Sequence, residues 1–186
     1  SDCMRLEEAI LPINLTAIDD GTFFCCTSLK EVKLPDKLNS IGKEAFFGCA
    51  SLQTLAIHSN IKTIDCYAFS RCKGLKTLSI NNGVRAILRG AFEHCTSLEE
   101  VSIPNSVKEL GAFAFSDCAS LHTLELSCYI TAIPQAAFSE CKKLKYVELP
   151  VTIETICENA FSECIELRAI RLNDGLKAIY EQAFSG

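Results

Sequence analysis

The chain has 186 residues, 48% of them hydrophobic, with 18 Lys and Arg against 23 Asp and Glu and a formal net charge of −5. Mild acidity without an overall basic stripe disfavours a nucleic-acid partner, and no apolar run is long enough to predict a transmembrane helix. Length alone points to one or two globular domains, and no secretory leader is visible in the sequence.

A fixed period overrides that expectation. Phe23, Phe46, Phe69, Phe92, Phe115, Phe138, Phe161 and Phe184 follow one another at intervals of 23 residues. A cysteine three positions after the Phe recurs in phase, at Cys3, Cys26, Cys49, Cys72, Cys95, Cys118, Cys141 and Cys164. Self-similarity at a period of roughly 20–29 residues marks a leucine-rich solenoid, and eight copies of 23 plus two residues account for the whole chain. The expectation is a single α/β solenoid over 1–186 with no internal domain boundary, because each copy buries its core against its neighbours. The first copy is entered part way through and the last stops at Phe184-Ser185-Gly186, so both ends are expected to be cuts within a repeat.

Taken in order, the first copy supplies Cys3, Leu6, Ala9, Leu11, Leu15, Ile18 and Phe23, with Thr22 where later copies have Ala. The second reads Leu29, Val32, Leu34, Leu38, Ile41, Ala45, Phe46 and Cys49, and the fourth and sixth repeat it from Leu75 and Leu121. Val32 and Leu34 are two apart, the period of a strand with one buried face. Pro12, Pro35, Pro104 and Pro150 end the strand where no ladder donor is wanted. Polar pairs such as Asp36-Lys37 and Asn82-Gly83 turn the chain. A second short extended segment follows at Leu38 and Ile41, and Ala45, Phe46 and Cys49 then have the spacing of one helical turn. A lone copy cannot repay its ordering entropy, so the copies must stack, giving a rod about 38 Å long at about 4.8 Å per layer. Ile10 and Ile13 stand in columns that are polar in most later copies and read as a partial cap. No dedicated capping sequence appears, so the ends are expected to be capable of self-association.

The pattern resembles the BspA-like leucine-rich repeats, a 23-residue class. The clearest copy runs from Val101-Ser102-Ile103-Pro104 through Val107, Leu110-Gly111 and Ala114-Phe115 to Cys118. The resemblance covers the whole chain, although the Pro is kept in four copies and the Gly only at Gly42 and Gly111. It implies a secreted, periplasmic or surface-displayed adhesion protein, engaged in host interaction or in contacts with the cell envelope. Its implied partner is another protein, such as a host matrix or envelope protein.

Twelve cysteines invite a disulfide or metal reading. Thiols in one apolar column behave as small buried hydrophobes, and a line of sulfurs does not make a tetrahedral zinc site. The column is therefore read as a ladder of free thiols. Cys25, Cys66, Cys128 and Cys157 lie in four other columns and favour no pairing. His58, His94 and His122 fall in separate columns with no recurrent nucleophile partner. No catalytic residues, cofactor or metal are called, and the chain is not read as an enzyme.

The outward strand positions remain, the surface that repeat proteins present as a concave binding face. Its C-terminal half carries Thr123, Glu125, Tyr146, Glu148 and Arg171, with Tyr146 as the anchor type that interfaces favour. A second candidate is a hydrophobic patch of Phe24, Phe47, Leu88 and Phe113, against which stands simple local packing. The expected function is a non-catalytic protein-binding scaffold. The alternative is a structural spacer within a longer array.

Overall fold

The computed structural model describes residues 3–186 and folds as a parallel β-solenoid. Each copy contributes two short strands: β1 (Glu8–Ala9) and β2 (Ala17–Ile18), β3 (Glu31–Val32) and β4 (Ser40–Ile41), β5 (Thr54–Ile57) and β6 (Thr63–Ile64), β7 (Thr77–Ile80) and β8 (Ala86–Ile87). The second half continues with β9 (Glu100–Ser102) and β10 (Glu109–Leu110), β11 (Thr123–Glu125) and β12 (Ala132–Ile133), β13 (Tyr146–Glu148) and β14 (Thr155–Ile156), β15 (Ala169–Arg171) and β16 (Ala178–Ile179). Parallel ladders join β1 to β3, β5 to β7, β9 to β11 and β13 to β15 on one face. On the other they join β2 to β4, β6 to β8 to β10, and β12 to β14 to β16. Residue i always faces residue i+23, as with Leu55 opposite Leu78. The eight strand pairs are thus separated by seven full turns of 23 residues.

The strand spacing read from the sequence holds: β5 alternates exposed and buried along Thr54, Leu55, Ala56 and Ile57. The helical turn does not. Among the described residues no helix forms, and the segment from Ala45 to Cys49 is a run of turns. The cause lies in the backbone. Two residues per copy adopt left-handed φ, the first at 50–61° (Gly21, Glu44, Tyr67, Gly90, Phe113, Ala136, Asn159, Gln182) and the second at 53–73° from Cys25 to Glu163. Their effect is to alternate the direction of the N–H groups. Gly21, Phe23 and Cys25 donate to Lys43, Ala45 and Phe47 in the next layer, whereas Thr22, Phe24 and Cys26 donate three residues back within their own layer. An α-helix sends every N–H to its own fourth preceding residue. Here half of them tie the layers together instead.

The core is one continuous column of columns. Phe46, Phe69, Phe92 and Phe115 are wholly buried, and the eight rings from Phe23 to Phe184 stack with centroids 4.9–5.8 Å apart and planes within 14°. Only the terminal layers are open, with Phe23 half-buried and Phe184 exposed.

The cysteines are free thiols, and seven of the eight in register are buried, Cys3 in the first layer being exposed. Each buried thiol from Cys49 onward donates to the carbonyl of the Phe one layer back: Cys72 to Phe46 at 3.3 Å, Cys118 to Phe92 at 3.4 Å, Cys164 to Phe138 at 3.2 Å. Burial pushes the Cys49 and Cys164 thiols up to about 12 from an ordinary 9.0, and raises those of Cys72, Cys118 and Cys141 well above it too. A thiol held protonated is a poor nucleophile and a poor target for oxidation.

Candidate protein-binding surface

Along the odd-numbered strands side chains alternate between the core and the outward face. Because the layers repeat in register, residues 23 apart become lateral neighbours on that outward face. Tyr146 lies opposite Ala169 and Glu148 opposite Arg171. Tyr146 is 48% exposed, with its hydroxyl 3.5 Å from Glu148 Oε2, and Arg171 Nη1 donates to Glu148 Oε1 at 3.1 Å. Tyr146, Glu148 and Arg171 therefore form one linked group. Glu125 points the other way along the ladder, accepting from Ser102 Oγ at 2.8 Å, and Thr123 Oγ1 lies 3.0 Å from His122 Nδ1.

The same face holds a feature that column reading assigned to a cap. Ile10 is 87% exposed and Ile13 77%, beside a pocket of about 450 Å³ lined also by Leu11, Lys33, Leu34 and Pro35. The signal was present in the sequence, since both isoleucines stand in columns that are polar in most copies. At the far rim, Tyr129 and Val151 are exposed as well.

The second candidate patch divides. Phe24 and Phe47 stack at 5.0 Å with planes 5° apart, both half-buried in adjacent layers. Phe113 lies three layers beyond Phe47, roughly 14 Å along the axis, under the guanidinium of Arg89 at 4.6 Å. Leu88 is half-buried one layer before it. These four residues lie on the turn side of the solenoid as a stacked pair and, farther along the axis, Leu88 and Phe113 in adjacent layers, not as one surface.

The histidines sit apart. His58 Nε2 is 3.0 Å from Pro35 O, and His94 Nδ1 is 2.9 Å from Asp117 Oδ2. Among the described residues no group of three His, Cys, Asp or Glu is placed to hold a metal ion, and no helix is long and apolar enough to cross a membrane.

A stack of parallel strands with an inward leucine-type pattern and a 23-residue turn is the architecture of leucine-rich repeat scaffolds. Within that class the chain belongs to the BspA-type family: the pattern described as BspA type leucine rich repeat region, in 6 copies, matches residues 1–118 and 67–186. Among solved structures the chain is similar to a T. pallidum leucine-rich repeat protein at 26% identity, covering 92% of this chain and 73% of that one with a TM-score of 0.70. A leucine-rich repeat protein from Bacteroides ovatus shows 26% identity over 91% of this chain, with a TM-score of 0.59. One from Eubacterium ventriosum shows 20% over 91% of this chain and 57% of its own, with a TM-score of 0.67, a likeness of fold. The chain spans 49% of the length of the B. ovatus protein. No curated protein matches the sequence.

Proposed function

We propose that the chain is a non-catalytic protein-binding scaffold, one uninterrupted solenoid acting outside the cytoplasm, whose partner docks on the odd-strand face of the C-terminal half. The observation that carries this reading is Tyr146. Its ring stands exposed on a flat, mostly small or charged face, and folding does not require it there. Glu148 and Arg171, already linked, supply opposite charges that fix a partner's orientation. The extracytoplasmic part rests on the family resemblance, and the protonated, buried thiols are compatible with an oxidising compartment.

A second docking position on the same face has its own support in exposed Ile10 and the pocket beside it. Immobilised panels of purified matrix and envelope proteins, probed with wild type, Tyr146→Ala and Ile10→Ser, separate the two. Loss of the captured partner with Tyr146→Ala alone supports the C-terminal site. Loss with Ile10→Ser alone moves the site to the first two layers. A partner retained by both variants overturns the face assignment.

A further inference from the structure

The solenoid turns a 23-residue spacing into lateral contact, and the chain uses this to place opposite charges together. Lys30 meets Glu7 at 2.6 Å, Arg171 meets Glu148 at 3.1 Å and Lys177 meets Glu154 at 2.9 Å, each pair 23 apart. One column breaks the rule with three cations in succession. Lys62, Arg85 and Lys108 precede β6, β8 and β10, and the backbone fixes their register: Arg85 N–H donates to Lys62 O at 2.7 Å and Lys108 N–H to Arg85 O at 2.9 Å. All three side chains are exposed and among the described residues none forms an ion pair, although Lys62 Nζ donates to the backbone carbonyl of Ser59 at 2.7 Å. Acidic neighbours also occur, as at Asp117, Glu140 and Glu163, but there His94 and Lys142 lie against the first two.

Like charges side by side on adjacent strands cost stability, and a local rule broken without compensation points to function. The surroundings strengthen the point. Residues 53–110, which span all three cations, carry seven Lys and Arg against five Asp and Glu, a local net charge of +2 within a chain of −5.

We infer that this column is a binding site for a linear sulfated polysaccharide lying along the solenoid axis. The three residues are in backbone register at about 4.8 Å per layer, a spacing that suits a chain charged on nearly every sugar and is too dense for one charged on alternate sugars. The flanking positions are small and polar: Ser59, Asn60, Asn82, Asn105 and Ser106. Asn82 and Asn105 also line a depression of about 510 Å³ that opens at the same turn, with Glu125 on its far side as an acceptor for sugar hydroxyls. Glu109 is the one carboxylate in the flanking columns of these three layers. Other polyanions want features that are missing from the column. Single-stranded nucleic acid is held by bases stacked on aromatic rings, and a protein interface by aromatic or Arg anchors in desolvated pockets. A membrane surface calls for an apolar face to insert. The column lies beside the even-numbered strands, and the depression next to it borders the odd-strand face through Ser102 and Glu125.

The test is binding of the whole chain to immobilised heparin across a salt series, with Lys62→Gln/Arg85→Gln/Lys108→Gln against the charge-matched control Lys142→Gln/Lys143→Gln/Arg168→Gln. Wild type is expected to bind at physiological ionic strength and to weaken with salt. The column variant should lose at least tenfold in affinity and the control less than twofold. A single Arg85→Glu, which sets opposite charges between Lys62 and Lys108, should abolish binding while leaving the melting temperature equal or higher, so a loss through misfolding is separable. No binding by wild type, or equal losses in both triple variants, overturns the site. Tighter capture by oligothymidylate or by anionic phospholipid vesicles than by heparin overturns the polysaccharide assignment.

Discussion

Truncating Phe115 to Ala removes a ring that is wholly buried and stacked on both sides, on Phe92 at 5.2 Å and on Phe138 at 5.8 Å. Loss of a buried Phe ring with the cavity it leaves costs roughly 3–5 kcal/mol. Two ring pairs, each worth about 0.5–1.5 kcal/mol beyond burial, place this site at the upper end. Phe184 is the internal control: it is 37% exposed and stacks on Phe161 alone. Phe184→Ala should therefore cost about 1–2 kcal/mol, as partial burial and a single pair allow. Equilibrium denaturant unfolding followed by circular dichroism measures both. Because coupling in a solenoid is between nearest neighbours, Phe115→Ala should also split the transition, the two halves melting separately. A cost at Phe115 no greater than at Phe184 would refute the ring ladder as the source of cohesion.

Thiol labelling at neutral pH should modify Cys3 and Cys128 rapidly while Cys49 through Cys164 of the ladder react only after denaturation, and ladder disulfides found by mass spectrometry would contradict this. Stability should fall on the alkaline side: a folded-state pKa raised to about 12 at Cys49 and Cys164 gives stability that is complete below the ordinary 9.0 and is lost as pH rises through the window between them. Each such thiol contributes about 1.4 kcal/mol per pH unit in that window, so thermal melts from pH 8 to 11 read the slope, and Cys118→Ala should reduce it. Phe24→Ser should destabilise modestly, by about 1 kcal/mol, through loss of its stacked partner Phe47, with partner binding unchanged; loss of binding without loss of stability would place the interface on the turn side.

The period, the strand positions and the buried columns were legible because they depend on side-chain burial, which hydrophobicity reports directly. Val32, Leu34, Leu38 and Ile41 are all buried as the column pattern requires. The turn segment departs from the helical spacing for a physical reason. Spacings of one, three and four between Ala45, Phe46 and Cys49 suit a helix, yet the conformation is set by backbone direction at Glu44 and Gly48, both at positive φ. A trace of this is in the sequence: across the copies those two positions hold Gly, Asn, Asp and His more than elsewhere, the residues that tolerate left-handed backbone. The outward face was legible only as a set of residues. Which of them join depends on register and rotamer, so the linkage of Tyr146 to Glu148 and the turning away of Glu125 toward Ser102 could not be read from columns.

Why the ladder is cysteine follows from the Phe carbonyls. Phe46 O accepts the N–H of Cys49 at 3.2 Å within its layer and the thiol of Cys72 at 3.3 Å from the next. Phe69 O is shared in the same way by Cys72 N–H and Cys95 Sγ, both at 3.3 Å. Alanine would fill the column but leave the second acceptor site without a donor, while serine would place a strongly polar hydroxyl among stacked rings at a larger desolvation cost. A thiol is apolar enough to bury and still donates weakly. The device closes each layer on its predecessor with main-chain and ladder atoms, so the stacking holds without any particular outward residue. The outward rows are then free to differ from copy to copy, as the passage from Ala56 and Ser79 to Glu125, Glu148 and Arg171 shows. Variation confined to residues that folding does not need is the condition under which a uniform rod acquires distinct binding faces.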